Sequence, residues 1–197
     1  MEKKERMPLW LAVAITVMIA LPLGLWLEEF SLPLWIVFAV WAEYFAFGGT
    51  LKGARTLAPA FIAGAVVALL VHAFAVLLID VSGEAQMVAP GDVGIFVAYF
   101  IGFCVFVWMM KFFTTLQGGT LAYFQGIALT LGAIFTGQGA AWVGHSEDPY
   151  VLLVGALLVS VVSAFAGIAI GWINIWLNGV KETPAEVPGE PSPTAAV

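Results

Sequence analysis

Long apolar segments separated by short polar turns dominate the sequence. Six of them approach or exceed the roughly 20 residues that cross the hydrocarbon core of a bilayer, and few charges interrupt them. They are Leu9 to Leu27, Leu32 to about Gly49, Leu57 to Leu78, Val93 to Phe113, Leu121 to about Val143 and Tyr150 to Asn178. The pattern predicts an all-α, polytopic membrane protein with six transmembrane helices.

The polar segments between these spans set the expected boundaries. Pro59 is expected in the first turn of the third span, where its missing N–H costs little. Asp80 to Asp92 is expected to be a loop, and Thr114 to Thr120 a polar, Gly-rich connection. After a single helical domain over residues 1–180, residues 181–197 are rich in Pro and Glu and have no apolar face. They are expected to form a disordered cytoplasmic tail.

Composition supports a membrane location and excludes several functions. Of the 197 residues, 62% are hydrophobic and only 10% are charged, more apolar surface than a soluble core of this size can bury. No signal-peptide cleavage site follows the first segment, which is therefore read as a retained span. The seven Lys and Arg residues are scattered, which argues against nucleic-acid binding. Cys104 lies in an apolar run and is expected to be buried in the fourth span.

The charges also indicate an orientation. With six spans and a cytoplasmic N-terminus, every basic residue falls on the cytoplasmic side and the external turns hold only acids, as the positive-inside rule requires. The basic residues are Lys3, Lys4, Arg6, Lys52, Arg55, Lys111 and Lys181, and the external acids are Glu28, Glu29, Asp80, Glu84, Asp92, Glu147 and Asp148. Both termini are therefore expected in the cytoplasm.

Two stretches resemble each other. Val37 to Leu51 reads VFAVWAEYFAFGGTL, and Val105 to Leu121 reads VFVWMMKFFTTLQGGTL. When their aromatic pairs are aligned, Glu43 falls opposite Lys111. The repeat predicts two related helical hairpins, formed by spans two and three and by spans four and five.

Glu43 is the only acidic residue well inside an apolar segment. A charge within a span costs about 2.5–3.5 kcal/mol on insertion scales and usually faces protein or water. Glu43 could therefore be a solute, cation or proton site. It could also be a protonated carboxyl bonded to a neighbouring helix, or an ion-pair partner of Lys111. Lys111 itself lies near the inner end of its span, where lysines normally extend to the headgroups.

Uncharged polar and aromatic side chains could line a path for a small polar solute. We expect the substrate or pore-lining set to be Glu43, Trp41, Tyr44, Trp108, Thr120, Gln125 and Gln138. His72 is a lone histidine that is more often a satisfied core residue than a ligand. With two His, one Cys and no catalytic motif, we expect no enzyme activity, no metal site and no cofactor.

Three helices carry small residues at four-residue spacing, which lets helix backbones approach closely in lipid. These small-residue stripes are Ala60, Gly64 and Ala68; Ala122, Gly126 and Thr130; and Ser163, Gly167 and Gly171. The sequence does not indicate whether they join helices of one chain or of neighbouring chains.

Three glycine-rich motifs carry a family resemblance: Tyr44 to Gly53 (YFAFGGTLKG), Gly119 to Gly126 (GTLAYFQG) and Phe135 to Gly139 (FTGQG). Over roughly Leu32 to Leu177 the chain resembles the YcdZ-like family of small bacterial inner-membrane proteins. The resemblance implies a bacterial inner-membrane location and a compact helical fold, but no chemistry, because the family's function is unknown.

Two functions from different classes fit these observations. The first is a channel, facilitator or transporter for a small polar solute, with Glu43 as a candidate proton link. The second is a non-transporting accessory or assembly subunit that packs against another membrane protein. The lipid bilayer, the solute and further copies of the chain in a homo-oligomer are the expected partners.

The orientation can be tested by cysteine labelling in intact cells. Cysteines introduced at Glu84 and Glu147 should react with a membrane-impermeant maleimide added from outside, because both positions are assigned to external turns. If either position reacts only after the cells are permeabilised, so that the reagent reaches the cytoplasmic face, the six-span arrangement is wrong.

Overall fold

The computed structural model describes residues 6–82 and 93–179, and every regular element in these ranges is helical. The α-helices are α1 (Leu9–Leu25), α2 (Leu34–Ala46), α3 (Leu51–Ser82), α4 (Val93–Met109), α5 (Thr114–Gly118), α6 (Thr120–Phe135) and α7 (Pro149–Asn178). Short 3-10 turns occupy Glu28–Phe30, Met110–Phe112 and Ala141–Val143. The all-α expectation is confirmed. The predicted tail at 181–197 and the labelling position Glu84 lie outside the described residues.

Helix length and hydropathy support a membrane protein. In the described chain, Glu28–Ala46, Leu51–Leu78 and Pro149–Asn178 are long and apolar enough to cross a bilayer. Leu9–Leu25, Phe96–Phe112 and Thr120–Phe135 are apolar but shorter. At 1.5 Å per residue the shorter helices span about 25 Å, a few Å less than a typical hydrocarbon core.

The third helix begins earlier than its hydropathy predicts. The Thr50 hydroxyl accepts a hydrogen bond from the Gly53 amide at 3.1 Å, an N-terminal cap that starts α3 at Leu51. Lys52 and Arg55 therefore lie within the helix and not in a separate turn. The placement of Pro59 in the first turn was wrong, because Pro59 lies inside α3 on its exposed side.

The fifth apolar segment is shorter as a helix than predicted. Its helix, α6, ends at Phe135 and not near Val143. Gly137 and Gly139 have φ angles of 67° and 88°, a left-handed conformation that ends a helix and that glycine adopts without strain. The polar, Gly-rich connection from Thr114 to Thr120 contains the short helix α5.

Cys104 is exposed on the outer side of α4, so the expectation of a buried thiol was wrong. The inner side of α4 packs on α3, where Ala98 and Gly102 lie against Ala75 and Val71. Within the described residues α4 makes its main helix contact with α3 alone. Most of its side chains therefore face away from the bundle, and hydropathy cannot distinguish such a lipid-facing position from a buried one.

The centre of the bundle is a close contact between α3 and α6, which run in the same direction. Gly119 at the start of α6 lies against Ala60, and Phe135 at its end stacks on His72. Between these levels, a Cβ on Gly126 would collide with the Phe61 carbonyl oxygen. Likewise, a Cβ on Gly64 would collide with the Tyr123 carbonyl oxygen.

The other helices surround this pair and follow the same principle. α2 and α7 run parallel, with Gly167 against the Val37 backbone and Gly171 against the Tyr44 ring. α1 runs antiparallel to α7 and contacts it through Thr16. All three predicted small-residue stripes therefore lie inside the chain and bring its own helices together, as their spacing predicted.

The two related hairpins do not form two compact units. α2 packs mainly on α7, and α4 packs mainly on α3, so the helices of each predicted hairpin have their main contacts elsewhere. In the contact between α3 and α6, Gly64 and Gly126 occupy equivalent positions. The sequence repeat instead aligns Gly49 with Gly119, which shifts α6 along α3 by about two helical turns. Residues aligned by the repeat, such as Glu43 and Lys111, therefore need not lie at the same level of the bundle.

Charges separate to opposite ends of the described bundle. One end, the basic end, carries Arg6, Lys52, Arg55 and Lys111. The other, the acidic end, carries Glu28, Glu29, Glu147 and Asp148. At the acidic end His145 Nε2 lies 3.1 Å from Glu29 Oε2, an exposed contact that contributes little to stability. The separation follows from the alternating helix directions and fits the charge pattern on which the orientation rests.

The central contact generates a stability prediction. Gly126→Leu should lower the free energy of unfolding by at least about 1–3 kcal/mol, because its side chain would have to separate α6 from the α3 backbone. Thermal unfolding in detergent measures the change. Ala128→Leu is the matched control, because Ala128 is exposed on the same helix and should tolerate the larger side chain. Equal melting temperatures for Gly126→Leu and the parent would contradict the contact.

Candidate functional site

Glu43 is held inside the bundle by the pattern of α2. Ile36 and Val40 are fully buried on the same side of this helix, and Glu43 is only 3% exposed. Trp41 and Tyr44, on the neighbouring side, pack against Gly171 of α7. Apolar positions on both sides of Glu43 thus anchor α2 and carry the carboxyl into the protein interior.

The Glu43 carboxyl has no hydrogen-bond partner among the described residues, although both oxygens are buried. Other buried polar atoms in the core share this property: Trp41 Nε1, Thr130 Oγ1, Asn174 Oδ1 and Asn178 Oδ1. Leaving a buried polar group unsatisfied costs about 1–3 kcal/mol, and more for a charged group. The core therefore contains buried polar groups whose unfavourable free energy of desolvation is not offset by hydrogen bonds within the described protein.

Lys111 does not supply the missing partner. Its Nζ lies 4.2 Å from the centre of the Trp108 ring and 5.0 Å from that of Phe112, within the range of a cation–π interaction. Lys111 is exposed at the end of α4, in keeping with a lysine that extends to the headgroups. Within 4 Å, His145 with Glu29 is the one ion pair in the described residues, so the Glu43–Lys111 pair is not formed.

The predicted pore-lining residues do not line one path. Trp41 and Tyr44 are buried beside Glu43, and Gln125 is half-buried on α6. In contrast, Trp108 is 57% exposed on α4. Thr120 is also exposed, and its hydroxyl donates to the Leu116 and Gln117 carbonyl oxygens in the turn before α6. Trp108 and Thr120 therefore do not face the buried carboxyl.

Gln138 lines a cavity of about 340 Å³ near the acidic end, which we call the outer cavity. Its other walls include His72 on α3, Glu147 before α7 and apolar residues such as Ile134 and Leu153. A mostly apolar cavity with a few polar groups, at the lower end of the usual size range, is typical of a small-molecule site.

His72 is the polar residue of this cavity that sequence reasoning did not select. It is 2% exposed, its Nδ1 lies 2.6 Å from the Tyr99 hydroxyl, and its ring packs edge-on against Phe135. The hydrogen bond to α4 agrees with its reading as a satisfied core residue. Tyr99 and Glu147 were also missed, and only the occurrence of His72 within an apolar span could have drawn attention to this region.

A second and larger cavity, the inner groove, lies at the basic end and has a volume of about 870 Å³. Tyr44, the neighbour of Glu43, lies in its wall together with the Gly48–Gly49 turn and the last turns of α7. Glu43 is not among the lining residues of either cavity. No group of three or more His, Cys, Asp or Glu side chains in the described chain could hold a metal ion.

Apolar helices, a filled core and opposite charge at the two ends define the chain as an α-helical membrane protein. Residues 9–179 match the family described as "Protein of unknown function (DUF1097)", and the chain belongs to that family. This match supports an uncharacterised family of unknown function but not the YcdZ-like name. No curated protein and no solved structure matches the chain.

The geometry predicts the outcome of a double-mutant cycle on Glu43 and Lys111. The effects of Glu43→Gln and Lys111→Met on the free energy of unfolding should add to within about 0.3–0.5 kcal/mol, because the two side chains share no contact. Melting in detergent of the parent, the two single variants and the double variant measures this coupling. A coupling of several kcal/mol would mean that the two residues form a buried ion pair.

Proposed function

We propose that this chain is a facilitator or transporter for a small polar solute, linked to proton movement through Glu43. The observation that carries the proposal is the Glu43 carboxyl, which is buried without a hydrogen-bond partner in the described protein. Burying a polar group without a hydrogen bond lowers the stability of the fold. Ionisable residues inside membrane helices commonly mark ion and proton pathways.

The cavities at opposite ends of the bundle support the same function. The outer cavity holds His72 and Gln138 as polar groups, and the wall of the inner groove includes Tyr44, which follows Glu43 in the sequence. Between them, the Gly64–Gly126 contact between α3 and α6 closes the bundle at backbone distance. A solute could pass only if helices move, so alternating opening of the two ends fits this arrangement better than a permanently open pore.

The six-span topology is part of the proposal. The helices alternate in direction, and four basic residues of the described chain gather at one end. On the positive-inside rule that end is cytoplasmic. The resemblance to small bacterial inner-membrane proteins is the support for proposing the bacterial inner membrane as its location. The short helices α1, α4 and α6 would span by thinning the bilayer locally or by using their flanking 3-10 turns.

A role as an accessory or assembly subunit is the second candidate. The observation in its favour is α4, whose outer side exposes Phe96, Phe100, Cys104 and Trp108. Its inner side packs mainly on α3 and accepts one hydrogen bond from α6, from the Tyr123 hydroxyl to the Phe106 carbonyl oxygen at 3.2 Å. Such a helix could pack against a larger membrane protein or against a second copy of this chain in a homo-oligomer. Neither arrangement explains the unpaired Glu43 carboxyl in the core. We therefore rank the accessory role second to transport.

Transport can be measured in proteoliposomes with a panel of small solutes such as urea, glycerol and acetate. Light scattering reports solute entry, and an internal pH dye reports proton movement. The protein should accelerate entry of at least one solute over protein-free vesicles, and Glu43→Gln should reduce that acceleration about ten-fold or more. Glu43→Met should do the same without lowering the melting temperature, because it removes an unsatisfied buried group.

Glu28→Gln is the matched control, because Glu28 is exposed in an external turn and should not affect the rate. If both Glu43 variants still accelerate solute entry as the parent does, Glu43 takes no part in transport. No acceleration for any solute would favour the accessory role.

A further inference from the structure

The inner groove has a polar mouth and apolar walls. Thr50 and Leu51 at the start of α3 form one side, and Phe165, Ile168 and Trp172 on α7 form the other. The α7 side faces outward, since Phe165 is 52% exposed and Trp172 60% exposed. A groove that opens on the apolar outer surface of a membrane helix bundle is accessible to lipid.

Arg6 supplies positive charge at the mouth. The Arg6 amide donates a hydrogen bond to the Asn178 carbonyl oxygen at 3.0 Å. The aliphatic part of its side chain lies over Gly179, where an added Cβ would approach Arg6 Cγ to 2.7 Å. These contacts hold the backbone and stem of Arg6 against the end of α7, and Arg6 is one of the residues that line the groove. Its guanidinium is a side-chain group that pairs well with phosphate.

Next to the groove, the surface between α3 and α7 has a shallow apolar crease. Ala58 and Ile62 on α3 and Ala164 on α7 line this crease, which shares Phe165 and Ile168 with the groove. The crease encloses no volume, so an acyl chain could only lie over it, in contact with these apolar side chains. Trp172 and Trp176 flank the mouth, at the interfacial depth where tryptophan is favoured.

We infer that the inner groove binds an anionic phospholipid, with the phosphate at Arg6 and an acyl chain against the apolar α7 wall of the groove. Charge complementarity selects this occupant: Arg6 lies at the mouth, and no acidic side chain of the described residues lines the groove. The apolar wall formed by Phe165, Ile168 and Trp172 suits an acyl chain and would be left uncovered by a free phosphate. The inference depends on the membrane character of the chain and not on transport.

Lipid selectivity can be measured by native mass spectrometry of the full chain in detergent with phosphatidylglycerol or phosphatidylcholine added. The parent should retain phosphatidylglycerol preferentially. Arg6→Gln should reduce that preference about five-fold or more, because the lipid phosphate loses its charged hydrogen-bond donor in the groove. Arg55→Gln is the matched control, because Arg55 is a basic residue at the same end that does not line the groove, and it should change the preference by less than two-fold.

Two results of this experiment would overturn the inference. Equal losses for Arg6→Gln and Arg55→Gln would mean that anionic lipid is held by the overall charge of this end and not in the groove. Equal stabilisation by inorganic phosphate, measured as a melting-temperature increase of the same size, would mean that the site takes a phosphate ion and not a lipid.

A photo-crosslinking residue at Ala169 identifies the occupant directly. Ala169 lines the groove, and Ala46 is an exposed alanine near the same end that does not. In vesicles containing both lipids, the Ala169 probe should give adducts enriched in phosphatidylglycerol, and the Ala46 probe should reflect the bulk composition. Adducts from Ala169 to residues 181–197, or to a second chain, would show a protein occupant and overturn the inference.

Discussion

The close approach of α3 and α6 at Gly64 and Gly126 is the contact on which the rest of the bundle depends. In lipid, helices gain little hydrophobic energy by associating, so they pack through close backbone contact and dispersion. The absence of a side chain at these two positions lets each helix touch the backbone of the other. The same two helices then carry α4, through Val71 and Gly102, and hold one side of α7.

The closely packed core contains both buried polar groups that are hydrogen-bonded and buried polar groups that are not, and the second kind needs an explanation. Ser160 and Ser163 donate to carbonyl oxygens one turn earlier in α7, and Thr16 does the same in α1. These hydroxyls are satisfied within their own helices and need no functional explanation. Glu43 has no such partner, and neither do Thr130 Oγ1, Trp41 Nε1 and the Oδ1 atoms of Asn174 and Asn178. Among these unsatisfied groups Glu43 has the one side chain that can release a proton near neutral pH, which makes it the focus of the proposed mechanism.

The two ends of the bundle have different chemistry. The outer cavity at the acidic end is small and largely enclosed by helix ends and the turn before α7, with a histidine in its wall. The inner groove at the basic end is larger, opens between tryptophans and contains Arg6. A solute site suits the first environment and a lipid headgroup suits the second. The proposed transport opens at both ends of the bundle, whereas the proposed lipid binding uses the inner groove alone.

Local composition was enough to predict the helices, their apolar character and the separation of charge. Each of these depends on residues close together in sequence, such as the uncharged run of α1 or the basic pair Lys52 and Arg55. The spacing of the small residues also predicted close packing, because four residues return to the same face of a helix.

The tertiary structure alone decided which helices meet. It paired α3 with α6 and α2 with α7, left Cys104 on the outside and kept Lys111 away from Glu43. It also placed His72 within hydrogen-bond distance of Tyr99, and it placed His72 and Gln138 in the wall of the same cavity. These outcomes depend on contacts between residues far apart in sequence. A lipid-facing apolar side chain and a buried one have the same hydropathy, so only packing distinguishes them.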